Sequence, residues 1–194
     1  MGVTFDEKEQ KFVFDFEHDG KDDIVSLTGE GYQVEAFGKC FYYGYEFAEQ
    51  IESSVRSAFI KRVKFTEDLQ NDEEITHFIK KAVDNLNNKI NLYNYDLVVM
   101  PESSSKVNQY MLRYIYRFAQ PTLRDYNRIL SLANKADEEL CATIREQNIL
   151  IIDDVTTSGS TLNEILRTLR ILNEDNDISI FSLIGRKDLM ADSM

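Results

Sequence analysis

The chain of 194 residues has only two cysteines, two histidines, two prolines and no tryptophan. Cys40 and Cys141, with His18 and His77, do not build a typical Cys₄ or Cys₂His₂ zinc site. The two cysteines read as reduced thiols rather than a disulfide, as a reducing compartment dictates. No apolar run approaches the ~20 residues that span a bilayer. The first ten residues, MGVTFDEKEQ, lack the apolar core of a signal peptide. Met1-Gly2 opens like a myristoylation signal, but Asp6 stands where Ser or Thr is needed. A cytoplasmic protein is the expectation. Basic residues are also scarce: 22 Lys and Arg face 34 Asp and Glu, a net charge of −12. That balance argues against non-specific binding to nucleic acid or to an anionic membrane.

What is present suffices for a folded domain. Hydrophobic residues make up 43%, and a chain of this length buries roughly 70% of its unfolded surface. Charge and glycine are unevenly distributed. Between Ser103 and Ala136 stand Lys106, Arg113, Arg117, Arg124, Arg128 and Lys135 against the single acid Asp125, a local balance of +5. Six of the eight glycines occur by Gly44; Gly159 then stands alone until Gly185. An isolated glycine after such a gap meets a local backbone need.

Residues 1–45 read as a β-rich extension. Phe12, Phe14 and Phe16 alternate, a His18-Asp19-Gly20 turn follows, residues 24–27 form a second run, and Tyr32, Val34 and Ala36 alternate again. The pattern predicts an antiparallel meander with one solvated face. From Phe47 the period changes to helical through Ile51, Val55, Phe59 and Val63, and a second helical stripe runs from Ile75 to Ile90. The run 97–100 ends at Pro101 and has the apolar continuity of a buried parallel strand. A helix with Val107, Met111, Ile115 and Phe118 on one face follows, which Ser103–Ser105 could cap. Residues 149–152 and 178–184 are further buried strands, separated by a helix carrying Leu162, Ile165, Leu166, Leu169 and Leu172. Alternation of strand and helix over 46–194 predicts an α/β domain with a central parallel sheet flanked by helices.

The chemistry concentrates in residues 149–166. Four apolar residues lead to Asp153 and Asp154, and then to the small polar loop Thr157, Ser158, Gly159, Ser160 and Thr161, which opens a helix. Ligands of open α/β sheets bind beyond the carboxyl ends of strands. A helix start offers free N–H groups and a positive dipole end to a phosphate. Ionised Asp only accepts hydrogen bonds, so the acids should face a donor. A sugar diol with its phosphate in the loop answers both ends, as in a ribose 5-phosphate.

This stretch resembles the phosphoribosyl pyrophosphate (PRPP) motif of type I phosphoribosyltransferases: four apolar residues, two acids, two largely apolar residues, two small residues, Gly, any residue, then Ser or Thr. Thr156 is the single departure over Ile149–Thr161. The ComF-like (competence protein F) branch is similar further upstream, through Val63-Lys64-Phe65, the strand ending at Pro101, and Asn108-Gln109 opening a helix. The likeness covers about residues 60–186. The branch's cysteine-rich zinc module is absent, replaced by residues 1–45; these or the tail Gly185–Met194 are the candidates for the family's variable hood over the acceptor. Ser104-Ser105-Lys106-Val107 replaces its basic "RG" segment, and Thr157 replaces the acidic base of hypoxanthine-type members.

The resemblance implies the type I phosphoribosyltransferase fold and Mg²⁺-dependent transfer of a phosphoribosyl group from PRPP to a nucleobase-like or amine acceptor. It implies that Asp153 and Asp154 hold the diol and assist catalysis, and that Thr157, Ser158, Gly159, Ser160 and Thr161 bind the 5-phosphate. Glu102, Ser103, Ser104, Ser105 and Lys106 would form the pyrophosphate loop, with Lys106 catalytic. Mg²⁺ would be held mainly by PRPP and water. PRPP and a small acceptor are the implied partners, and a homodimer is admitted. A non-catalytic PRPP- or nucleotide-binding regulator, of the competence type, is the alternative. The family's mobile loop would fall in 122–147, where no motif stands out.

Overall fold

The computed structural model describes residues 1–29, 31–36, 39–65, 73–101, 105–119, 129–132, 147–172 and 176–185. The strands are β1 Gly2–Asp6, β2 Lys11–His18, β3 Lys21–Thr28, β4 Tyr32–Ala36, β5 Lys39–Phe47, β6 Leu97–Pro101, β7 Ile129–Leu132, β8 Asn148–Val155 and β9 Asp177–Ile184. The helices are α1 Ser53–Lys64, α2 Glu73–Lys89, α3 Lys106–Ala119 and α4 Ser160–Leu172, with a 3₁₀ turn at Leu92–Asn94. The architecture is α/β: a central sheet flanked by helices, compatible with the Rossmann-like class.

The sheet is mixed rather than parallel throughout. Its order is β1-β2-β3-β5-β9-β8-β6-β7, with β4 also on β5. From β5 to β7 all pairs are parallel; β1, β2, β3 and β4 pair antiparallel. The joint is β5, a strand that the alternation after Gly38 did not reveal. One of its edges pairs parallel with β9. The other is shared, Lys39–Tyr43 by β4 and Glu46–Phe47 by β3. The predicted meander therefore holds from β2 to β3, but β4 continues on β5 instead. Gly44 permits close packing at this joint. A Cβ there would stand 2.7 Å from the Ala82 Cβ of α2 and 2.9 Å from the Leu183 carbonyl.

Helix α1 starts at Ser53, not at Phe47, which ends β5. The i+4 series nonetheless marks one apolar face, because the Phe47 ring meets Phe59 edge-on at 6.0 Å. Helices α1, α2 and α3 cover one face of the sheet, where Phe12, Phe14 and Leu27 meet Phe59, Phe78 and Met111 in one buried cluster. On the other face α4 packs Leu162, Ile165, Leu166 and Leu169 against Phe41, Val99, Ile149, Ile151 and Ile180. The wholly apolar runs of β6 and β8 are thus explained: both faces of these strands are covered. Tyr45 crosses the first cluster, stacking on Phe78 at 4.2 Å and donating its hydroxyl to the Phe78 carbonyl at 2.7 Å.

Strand β6 is followed by α3 and by β7 on one side, whereas β8 lies on its other side. The direction in which successive strands are added to the sheet therefore reverses at β6–β8, although the two strands run parallel. A crevice opens at such a reversal, beyond the carboxyl ends of the strands.

Candidate functional site at the β6–β8 edge

Two segments meet at the carboxyl ends of β6 and β8. Leu97, Val98 and Val99 of β6 pair with Ile149, Leu150 and Ile151 of β8. The next residues of the two strands lead to Pro101 and to Asp153-Asp154. After β8, the backbone N–H of Thr156 bonds the Ile184 carbonyl at 2.9 Å, and its buried hydroxyl donates to Ser182 Oγ at 2.9 Å. Ser182 Oγ in turn donates to the Ile184 carbonyl at 3.2 Å. The one departure from the motif pattern is thus a buried hydroxyl with a partner on the next strand, which anchors the base of the loop.

Beyond Thr156 the loop turns outward. Thr157, Ser158, Ser160 and Thr161 are exposed. Gly159 is buried and has φ +69°, a left-handed conformation that strains any residue with a Cβ. Its carbonyl accepts the Asn163 N–H at 2.8 Å, the first turn of α4. Ser158 Oγ lies 3.1 Å from Ser160 Oγ and accepts the Ser160 N–H at 3.4 Å, a long bond that does little to saturate the helix start. The solitary glycine therefore has its backbone reason, and the loop presents hydroxyls and N–H groups to solvent at the positive end of a helix dipole.

The two acids are not equivalent. Successive strand residues face opposite sides of a sheet. Asp154, on the side of α1–α3, is 1% exposed. Its Oδ1 accepts the Val155 N–H at 2.6 Å and the Lys64 ammonium at 3.0 Å, while Oδ2 is buried without a partner. Lys64 ends α1, and its side chain is 33% exposed. The resemblance assigns both acids to the diol, but Asp154 is buried against Lys64, a residue of the Val63-Lys64-Phe65 segment to which the resemblance gives no role. The position of Lys64 in that Val-Lys-Phe segment was the available signal.

Asp153 keeps a partly open surface, and its Oδ1 accepts the Asp154 N–H at 2.9 Å. Burial, and then the neighbouring Asp154 carboxylate, push the Asp153 carboxyl up to about 7. Lys64, the Asp154 N–H and the facing carboxamide of Asn108 act in the opposite direction and do not outweigh them. Asn108 comes from the first turn of α3, which packs on β8.

Of the expected pyrophosphate loop, Ser105 and Lys106 are described. Ser105 is buried, and Lys106 is exposed as the first residue of α3. Glu102, Ser103 and Ser104 lie outside the described residues, as do 122–128 and 133–146 of the expected mobile loop. Arg113 and Arg117 of the basic window are exposed on α3, Arg117 over the Tyr114 ring at 4.6 Å. His77 packs between Phe5 and Phe12, and His18 lies beside Asp19 and Asp23, both remote in sequence from the motif. Cys40 is a free thiol accepting from Gln33 Nε2 at 3.0 Å; Cys141 lies outside the described residues.

Among the described residues, no three His, Cys, Asp or Glu side chains converge as a metal cage, and no helix is long and apolar enough to cross a membrane. The chain matches no protein-family model and no curated protein.

Proposed function

We propose that the protein binds PRPP at the β6–β8 edge and transfers its phosphoribosyl group to a nucleobase-like or amine acceptor, with release of pyrophosphate. One observation carries this reading. A partly open carboxylate, Asp153, is followed within one short loop by a helix start opened by Gly159 and rich in exposed hydroxyls. The first accepts hydrogen bonds and the second donates them, in the order that a ribose diol and its 5-phosphate require.

In this proposal Asp153 accepts from the diol, and the backbone and hydroxyls of Thr157–Thr161 hold the phosphate. Asp154, bonded to Lys64, fixes the strand end behind Asp153. Lys106, exposed at the start of α3, faces the pyrophosphate side, where positive charge stabilises a leaving group that grows more negative. Mg²⁺, held mainly by the substrate phosphates and water, would neutralise the pyrophosphate. The reading makes the protein a cytoplasmic one whose partners are small molecules.

A second reading is favoured by the Asp154–Lys64 bond. It leaves one free carboxylate instead of two at the edge, which suits a non-catalytic PRPP-binding regulator. Calorimetry with PRPP and Mg²⁺, followed by a pyrophosphate-release screen across nucleobases, separates the two. Release with any acceptor supports the transferase, binding without release supports the regulator, and no binding refutes both.

A further inference from the structure

Helix α3 presents one stripe to solvent. Lys106, Gln109, Arg113 and Arg117 are exposed, and Tyr110 beside them is half-buried. At 3.6 residues per turn the three cations fall within about 40° of one another around the axis. The 14 residues of the helix include no acid, although the chain as a whole carries −12.

The arginines of the stripe are not consumed within the fold. Among the described residues, the Arg113 guanidinium has no ion pair. Asp84 of α2 acts on the Tyr114 hydroxyl but pairs with neither arginine. Arg117 lies over the Tyr114 ring at 4.6 Å, and a stacked guanidinium keeps its in-plane N–H donors available. The Tyr110 and Tyr114 rings meet at 5.2 Å, and the Tyr110 hydroxyl is 3.2 Å from Thr76 Oγ1 on α2. These aromatics are held in place by the fold itself, so little side-chain freedom is lost when a partner arrives. Clustered Tyr and Arg make up binding hot spots, whereas Lys and Glu are depleted there.

Charge and spacing select the partner. Arg113 and Arg117 are one turn apart, about 6 Å along the axis. Carboxylates four residues apart on a second helix have the same rise, so two bidentate pairs form in register. Duplex nucleic acid draws on roughly 6–10 phosphate contacts, which three cations on an acidic chain do not supply. A second copy meeting stripe to stripe about a two-fold axis sets arginine against arginine.

We propose that the α3 stripe is a docking surface for an acidic helical segment of another protein, whose carboxylates pair with Arg113 and Arg117 and whose apolar side chains rest on Tyr110. The inference is independent of the sugar-phosphate reading above.

The test is fluorescence anisotropy of the full chain with a labelled, alanine-rich helical peptide of about 16 residues, carrying glutamates four residues apart and leucines between them. The wild type should bind it with a micromolar dissociation constant that rises with salt. Arg113→Glu with Arg117→Glu should lower the affinity at least about tenfold. Lys8→Glu with Lys21→Glu changes the net charge equally, at exposed positions away from α3, and should leave the affinity within about threefold of wild type. Arg113→Gln with Arg117→Gln serves the same purpose should the glutamate form fail a melting check. A wild type that does not bind the peptide overturns the proposal, as does an equal loss in the Lys8 and Lys21 variant. Tighter binding of an oligouridine of the same length also overturns it, and gives the face to a nucleic acid. Self-association in sedimentation that the arginine substitutions abolish overturns it in favour of a second copy.

Discussion

Replacing Lys64 by methionine removes the ammonium from Asp154 and keeps most of the aliphatic stem. The Nζ–Oδ1 separation is 3.0 Å, Asp154 is 1% exposed, and its Oδ2 has no partner. The carboxylate would then retain one hydrogen bond, from the Val155 N–H. Stripping one partner from a fully buried pair costs about 3–5 kcal/mol. The Lys64 side chain is 33% exposed, so solvent screens part of the attraction. The expected loss is therefore about 2 kcal/mol, or roughly 4–8 °C in melting temperature for a domain of this size. Urea unfolding at pH 7 measures it directly. Adding Asp154→Asn should recover much of the loss. The amide oxygen still accepts from Val155, and no buried charge remains without its counter-ion. The double-mutant cycle should show a coupling of at least about 1 kcal/mol. A Lys64→Met protein within about 0.5 kcal/mol of wild type, or additive substitutions, would refute the claim that this pair holds the strand end.

Three further outcomes follow from the same edge. Asp153 binds its proton more tightly in the folded chain, at about 7, than a free carboxyl near 3.9. The native state therefore holds more protons through that interval, and wild-type stability falls as pH rises from about 4 to 7. Asp153→Asn should abolish this slope and gain on the order of 2 kcal/mol at pH 8, checked by urea titrations across pH; a variant with the wild-type slope would show that another group titrates. Gly159→Ala places a Cβ at φ +69° and should cost about 1–2 kcal/mol, with weaker binding of inorganic phosphate by calorimetry; unchanged values in both would mean that the loop relaxes freely. Thr156→Val removes the buried hydroxyl that donates to Ser182 and should cost about 1 kcal/mol in urea unfolding. A gain in stability would show that the hydroxyl pair only burdens the strand end.

The β6, β8 and β9 strands and helices α2, α3 and α4 were legible in the sequence because their signals are local. Continuous apolar runs mark strands covered on both faces, and stripes such as Ile75, Phe78, Ile79, Ala82, Val83 and Leu86 repeat with the turn of one helix. The need for a glycine at position 159 was legible for the same reason, since it arises within a single loop. Pairing partners are not local. The sequence did not show that β5 would join an antiparallel set of strands to a parallel one, because pairing depends on which edge each strand meets. Nor did it separate Asp153 from Asp154. As adjacent identical residues they differ only in the face of β8 each occupies, and only the packing of α1 puts Lys64 against one of them. Asn108 shows the division most plainly. In the sequence it is a polar residue near a helix start, and only the closure of α3 onto β8 buries its amide facing Asp153.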